Sequence, residues 1–384
     1  MGDRIESNRI EGDRIDGDRV APAEMSRQTA EVDLDALPHP SRSFASDNAA
    51  TVHPAVLDAL ARANVGHALA YGYDDVTAAA DRRFSELFGR DVDTYYVWGG
   101  SGANVMALTA LARPADAVIC TDISHINVDE TSSPERIVGA KLIDVPSTDG
   151  KLSPAQIEAQ LYALGDEHHA QPGIVSITQA TEIGTLYSPA EVGAIVEIAH
   201  RHGLRVHLDG ARIANATAAL GGTAEALRSF TIDAGVDVVS FGGTKNGMMY
   251  GDAVVFLTPE LASRAKIIRK LVSQLPSKMR YISAQFDALL TDDLWLRNAG
   301  HANAMARRLY DGVRDLPGLG LDRAPAVNSL FPCLPRPAID ALQAWATFYD
   351  WDTALDQVRW MTAWDTSAED VDRMIAGVCR VLTA

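Results

Sequence analysis

From residue 54 onward, apolar positions switch between helical spacing and short unbroken runs. Over residues 54–63 and 77–88 they recur every three to four positions, and Gly89 follows the second stretch. That spacing predicts helices with one buried face. Residues 103–111, 154–164, 189–200, 259–271 and 295–314 read the same way, several with a proline near the start. Between them lie runs too short for helices, at residues 94–98, 117–120, 137–145, 174–178, 204–208, 236–240 and 253–257. Runs apolar on both faces mark strands buried in a parallel sheet. Strands alternating with helices predict an α/β fold around a mostly parallel sheet. Near residue 290 the pattern changes to a helix followed by proline-rich loops at residues 331–337. This predicts a large domain over 41–290 and a smaller α+β domain over 291–384, with Trp345, Trp351, Trp360 and Trp364 packing the latter.

Residues 1–40 differ in kind. A short charged unit recurs at Gly2-Asp3-Arg4-Ile5, Gly12-Asp13-Arg14-Ile15 and Gly17-Asp18-Arg19-Val20. So few apolar side chains do not offset the entropy of ordering, so a disordered tail is expected, with Met25 an alternative start. Its acidic residues argue against a transit peptide.

The full chain has 384 residues, is 47% hydrophobic and carries a net charge of −17. A charge of that sign repels a phosphate backbone, so no nucleic-acid partner is expected. No apolar run is long enough to span a membrane. The three cysteines, Cys120, Cys333 and Cys379, are odd in number and widely spaced, which fits a reducing, cytoplasmic compartment. Glu167-His168-His169 offers no convincing metal site, because adjacent side chains point apart, and none is expected elsewhere.

The chemistry concentrates at the ends of three predicted strands. Ser240-Phe241-Gly242-Gly243-Thr244-Lys245 puts a lysine in a glycine-rich turn after a buried run. Burial lowers a lysine's pKa and frees its amine to attack a carbonyl, as a Schiff-base lysine must. Asp209 ends the preceding strand, on the edge where open α/β sheets bind ligands. A strand-end aspartate and a strand-end lysine are what pyridoxal phosphate requires, one for its ring nitrogen and one for its carbonyl carbon. Gly99-Gly100-Ser101-Gly102 then reads as a phosphate turn at a helix start. A rival reading takes Gly100-x-Gly102 with Asp122 as a dinucleotide fingerprint, although Val105 occupies the third glycine position.

Together with Ser46-Asp47-Asn48, Tyr71-Gly72-x-Asp74, Gly100-Ser101-Gly102-Ala103-Asn104, Ser124-His125 and Val358-Arg359, the runs Asp209-Gly210-Ala211-Arg212 and Ser240–Gly247 resemble the low-specificity L-threonine aldolases. These belong to the aromatic amino acid β-eliminating lyase/threonine aldolase family. The resemblance spans residues 44–380. It implies an aspartate-aminotransferase-like (fold type I) architecture, a homodimer or homotetramer, and pyridoxal phosphate as cofactor. It implies retro-aldol cleavage of L-threonine and related β-hydroxy-α-amino acids, with β-elimination or transamination as the alternative. Lys245 is implied to form the Schiff base and Asp209 to pair with the ring nitrogen. Gly100, Ser101 and Gly102 are implied to hold the phosphate, and His125 to cover the ring and move protons. Ser46, Arg212 and Arg359 are implied to collect the substrate carboxylate, and Tyr71 to reach the site from its own or a neighbouring subunit. One departure stands out: Glu182, in Gln179-Ala180-Thr181-Glu182, occupies the place of a family histidine and becomes a candidate base.

Overall fold

Each of the seven apolar runs contributes a strand to one sheet in the computed structural model, which describes Leu34, residues 36–321 and residues 323–383. The strands are β1 (Asp93–Val97), β2 (Asp116–Thr121), β3 (Lys141–Val145), β4 (Gln171–Thr178), β5 (Arg205–Gly210), β6 (Val238–Phe241) and β7 (Asp252–Phe256). Their spatial order is β1-β7-β6-β5-β4-β2-β3. Strands β3, β2, β4, β5 and β6 pair in parallel, and β7 runs antiparallel between β6 and β1. The mostly parallel α/β sheet expected from the sequence is therefore present.

Both faces of the central strands are buried, which explains their short apolar runs, whereas edge strand β3 exposes Lys141 and Asp144. Ile119, Val175, Val206, Leu208, Val239 and Phe241 pack on one side. Val118, Cys120, Ile174, Val238, Val254 and Phe256 pack on the other, under the helix Gly100–Leu111. Successive side chains of a strand point to opposite faces, so one run serves two cores. On β5 this alternation sends His207 and Asp209 to the face opposite Val206 and Leu208, and the polar pair is buried within an apolar layer.

A second, antiparallel sheet is built from β8 (Ser329–Leu330), β9 (Tyr349–Asp352) and β10 (Gln357–Met361), in the order β8-β10-β9. Helices Leu294–Val313, Arg336–Trp345 and Ala368–Thr383 enclose it around Leu342, Trp345, Val358, Trp360 and Val371. Of the other tryptophans, Trp351 packs on Phe331, whereas Trp364 lies on His53. Leu34 is buried in the same cluster and Leu37 packs on it. Most of the segment expected to be a disordered tail, residues 1–33 and 35, lies outside the described residues.

Residues 44–53 join this smaller layer to the strand ends. Phe44 N donates to Thr347 O, Met361 N donates to Phe44 O, and His53 N donates to Gly247 O, each at 2.8 Å. Local elements depart from the sequence reading where chain geometry intervenes. Residues 134–138 form a single π-helical turn that Gly139 ends at φ 78°, so the strand expected from residue 137 starts at Lys141. The helix expected over 154–164 stops at Glu158 and resumes as one 3₁₀ turn, Leu161–Ala163. That expected over 259–271 is likewise a 3₁₀ segment, Pro259–Arg264, followed by Ala265–Leu271.

Close backbone approach fixes the two turns that matter. Gly242 N donates to Gly210 O at 3.0 Å, and a Cβ on Gly242 would stand 2.3 Å from Ala211 O. No side chain fits there without separating the turns after β5 and β6. Gly242→Ala is expected to lower stability by about 1–3 kcal/mol, the usual range for overpacking. Denaturant unfolding checks this, and a midpoint equal to that of the parent would contradict the described packing.

Candidate active site

The carboxyl edge of the parallel strands is where side chains of distant sequence position meet. Gly100, Asn104, His125, Glu130, Thr178, Ala180, Glu182, Asp209, Ala211, Arg212 and Lys245 line one pocket there. Each arrives on the turn or helix that follows β1, β2, β4, β5 or β6, apart from Thr178 and Asp209 near the strand ends themselves. Because β7 runs the other way, its amino end also lies at this edge. It places Asp252 opposite Val97 of β1, beside the turn that carries Lys245. Asp252 Oδ1 accepts from Gly243 N at 2.7 Å and shapes that turn.

Lys245 makes no hydrogen bond to another described side chain. Burial pushes its pKa down, and the Arg212 guanidinium adds to that, against the opposing pull of Asp47, Asp209 and Asp252. The result is an amine biased toward its neutral, nucleophilic form. Asp209 is held on two sides: Oδ2 accepts from Asn104 Nδ2 at 2.8 Å and Oδ1 from Ala211 N at 3.0 Å. Beneath it, His207 bridges Ser176 and Ser240 at 2.9 Å each, and burial pushes its imidazole down to about 4.

His125 starts a short helix, His125–Val128, after β2. Its Nδ1 bonds Glu130 Oε1 at 2.9 Å, the main cause of an upward pKa shift. Its backbone N donates to Glu182 Oε1 at 2.9 Å, which also accepts from Thr178 Oγ1 at 2.8 Å. Glu182 Oε2 is buried without a partner, and burial pushes that carboxyl up to about 7. A group half ionised near neutrality can take or return a proton without a large penalty.

The cationic side of the pocket is already partly engaged. Arg212 donates to Asp47 through Nε at 2.7 Å and Nη2 at 2.9 Å. Asp47 also accepts from Asn328 Nδ2 at 3.1 Å. Burial alone would raise the Asp47 pKa, but Arg212 and Lys245 hold it below the ordinary value. Arg359 does not line this pocket: its Nη2 donates to Ala45 O at 2.9 Å, while its Nε is buried without a partner.

Of the residues singled out by sequence, Lys245, Asp209, His125, Glu182, Arg212 and Gly100 meet in the pocket. Ser46 accepts from Asn48 N, and Ser101 is exposed at the helix start. Gly102 faces the side chain of Gln274, where a Cβ would stand 2.3 Å from Oε1. Tyr71 is exposed at φ 64°, with its N–H donated to Ser277 O, and does not line the pocket. Asp47 and Asn104 stood in quoted motifs without a role, and Thr178 and Asp252 were not singled out. Asn104 was accessible, since it lies one helical turn after Gly100 and so on the same face. His169, set aside as a metal ligand, bonds Asp166, and His200 near the end of helix Pro189–Arg201 bonds Asp237. The dinucleotide alternative fails on topology. Four strands separate β1 from β2, and Asp122 Oδ1 accepts from Ser147 N rather than facing the Gly100 turn.

Comparison with known proteins places the chain in company. The sequence profile of the beta-eliminating lyase family matches residues 43–332. A low specificity L-threonine aldolase of Pseudomonas aeruginosa is 40% identical over 345 residues, covering 90% of this chain and 99% of that protein. The solved structure of Leishmania major threonine aldolase superposes with a TM-score of 0.83 at 33% identity, covering 88% of this chain and 99% of that one. An aspartate aminotransferase from Rhodobacter sphaeroides superposes at 0.65 with 20% identity, covering 90% and 94%. That last likeness carries the fold alone, and it is the aspartate-aminotransferase-like fold expected from the sequence.

The raised Glu182 carboxyl has a measurable sign. Between pH 4.5 and about 7 the folded protein keeps a proton that the unfolded chain has released. Stability contributed by this group is therefore full below pH 4.5 and lost as pH rises through about 7. In cofactor-free protein, Glu182→Gln is expected to remove this slope, gaining about 3 kcal/mol on the parent across the window. Urea unfolding at both ends of the window checks it, and parallel pH profiles for the two proteins would contradict it.

Proposed function

The chain belongs to the beta-eliminating lyase family, and on that premise we propose that it is a pyridoxal-phosphate-dependent lyase. It cleaves L-threonine and related β-hydroxy-α-amino acids into glycine and an aldehyde. The observation that carries this reading is the meeting of Lys245, Asp209 and the His125–Glu130 pair in one pocket at the sheet's carboxyl edge.

The residues present fit the cofactor. Lys245 offers an amine depressed by burial, and Asp209 offers a carboxylate held in place for a ring nitrogen. Gly100 and Ser101 begin a twelve-residue helix whose first N–H groups suit a phosphate. The unpartnered Glu182 Oε2 and Asn104 Oδ1 are the kind of orphaned polar atoms that a bound molecule or water satisfies. Bound at Lys245, pyridoxal phosphate supplies an electron sink for the bond broken at the amino acid's α-carbon.

The chain's own groups do the rest. With Nδ1 of His125 committed to Glu130, Nε2 is the ring nitrogen left for proton transfer. Glu182 stands in the place of a family histidine, and its Oε2 suits removal of the proton from the substrate's β-hydroxyl. Asp47 takes two nitrogens of Arg212, which leaves its Nη1, with Nη1 of Arg359 and Ser46, for the substrate carboxylate. Two fixed cations holding two carboxylate oxygens set which α-carbon bond is exposed to cleavage. The substitution of Glu182 for histidine keeps β-elimination or transamination as the second reading. A cytoplasmic enzyme assembled as a homodimer or homotetramer, to which Tyr71 of a neighbouring copy contributes, completes the proposal. Among the described residues no helix is long and apolar enough to cross a membrane.

The test is to incubate purified protein with pyridoxal phosphate and L-threonine. Glycine and acetaldehyde are expected in equal amounts, with a visible absorbance band that Lys245→Ala abolishes along with activity, by roughly a thousandfold or more. A keto acid without glycine would move the reaction to elimination or transamination, and full activity in Lys245→Ala would overturn the reading.

A further inference from the structure

Glu130 is a carboxylate whose side chain is 0% exposed, yet among the described residues it has no arginine or lysine partner. Its Oε1 bonds His125 Nδ1 at 2.9 Å and accepts from Asn104 Nδ2 at 2.8 Å. Its Oε2 receives only Ser133 Oγ at 3.5 Å. The same Asn104 Nδ2 donates to Asp209 Oδ2 at 2.8 Å. One amide NH₂ therefore spends both hydrogens between two buried carboxylates. The opposite amide orientation would aim an oxygen at both, so the orientation is fixed. Among the described residues, His125 is the one ionisable side chain hydrogen-bonded to Glu130.

We propose that Glu130 is a positioning residue of the lyase site: it holds a proton on His125 Nδ1, presents Nε2 as the working nitrogen and favours protonation of the ring, while Asn104 ties that pair to Asp209. Glu130 lies outside the set of residues implied by the family resemblance, and its role rests on the reading of His125 as the proton-transfer group.

The other charged groups around His125 act in a mixed way. Asp209 favours the imidazolium, while burial and Lys245 oppose it. Glu182 bonds the His125 backbone rather than the ring, and Arg212 lines the same pocket. The Glu130 hydrogen bond is the largest contribution, and the imidazole is raised above its ordinary 6.5. The link through Asn104 also means that a positive ring nitrogen placed on Asp209 is felt at Glu130, and through it at His125.

The experiment follows the His125 ring proton by NMR through pH in the full-length cofactor-free protein, assigned by its absence in His125→Asn. In the parent the midpoint is expected above 6.5. In Glu130→Gln it is expected to fall by about one pH unit or more, and in Glu130→Asp to recover in part. The pH profile of kcat for L-threonine cleavage should move with it in the cofactor-loaded protein, with the absorbance band at Lys245 retained. A parent midpoint at or below 6.5 would overturn the proposal whether or not the variants fold. So would an unmoved midpoint in folded Glu130→Gln. The titration needs no substrate, so a shift found in protein that fails to cleave L-threonine would sink the functional reading and leave the role of Glu130 standing.

Discussion

A lysine amine has to be kept desolvated while carboxylates stand close to it, and the rest of the site depends on that constraint. Burial and Arg212 depress Lys245, whereas Asp47, Asp209 and Asp252 work to charge it. Each of those carboxylates is given other business. Asp47 is taken by Arg212 and Asn328, Asp209 by Asn104 and the Ala211 amide, and Asp252 by the amides of Gly243 and Thr244. Acceptors already satisfied by donors exert less pull on a nearby ammonium than free carboxylates would. The lysine is left as the one amine in the pocket without a partner of its own.

The fold makes that arrangement possible by geometry. Parallel strands end at one edge, so the turns after β1, β2, β4, β5 and β6 converge. The antiparallel β7 then brings the beginning of a strand, Asp252, to the same edge. Residues 44–53 close the arrangement, carrying Asp47 to Arg212 while their backbone bonds the smaller sheet on one side and Gly247 on the other. Gly242, pressed against Ala211 O, keeps the aspartate-bearing and lysine-bearing turns in contact.

Much of this was legible in the sequence because it is local. Seven short, mostly apolar runs each contributed a strand, and Asp209, Lys245 and Gly100 could be assigned to strand ends by reading forward a few residues. What was hidden is non-local. Whether Asp129 or Glu130 orients His125 is invisible in a pair of adjacent acids, but only Glu130 points inward to Asn104. Asp47 looked like one residue of a short motif until the small layer brought it to Arg212, 165 positions away. The π turn at residues 134–138 shows the reverse failure: Ile137 is exposed, and an apolar run there did not signal a strand.

The central claim is that Lys245 is the amine that carries the cofactor's carbonyl carbon. Borohydride reduction of the protein loaded with pyridoxal phosphate converts such a linkage into a stable secondary amine, which peptide mass spectrometry can locate. The added mass is expected on the peptide containing Lys245 alone. An adduct on another lysine, or none after reduction of a coloured protein, would contradict it.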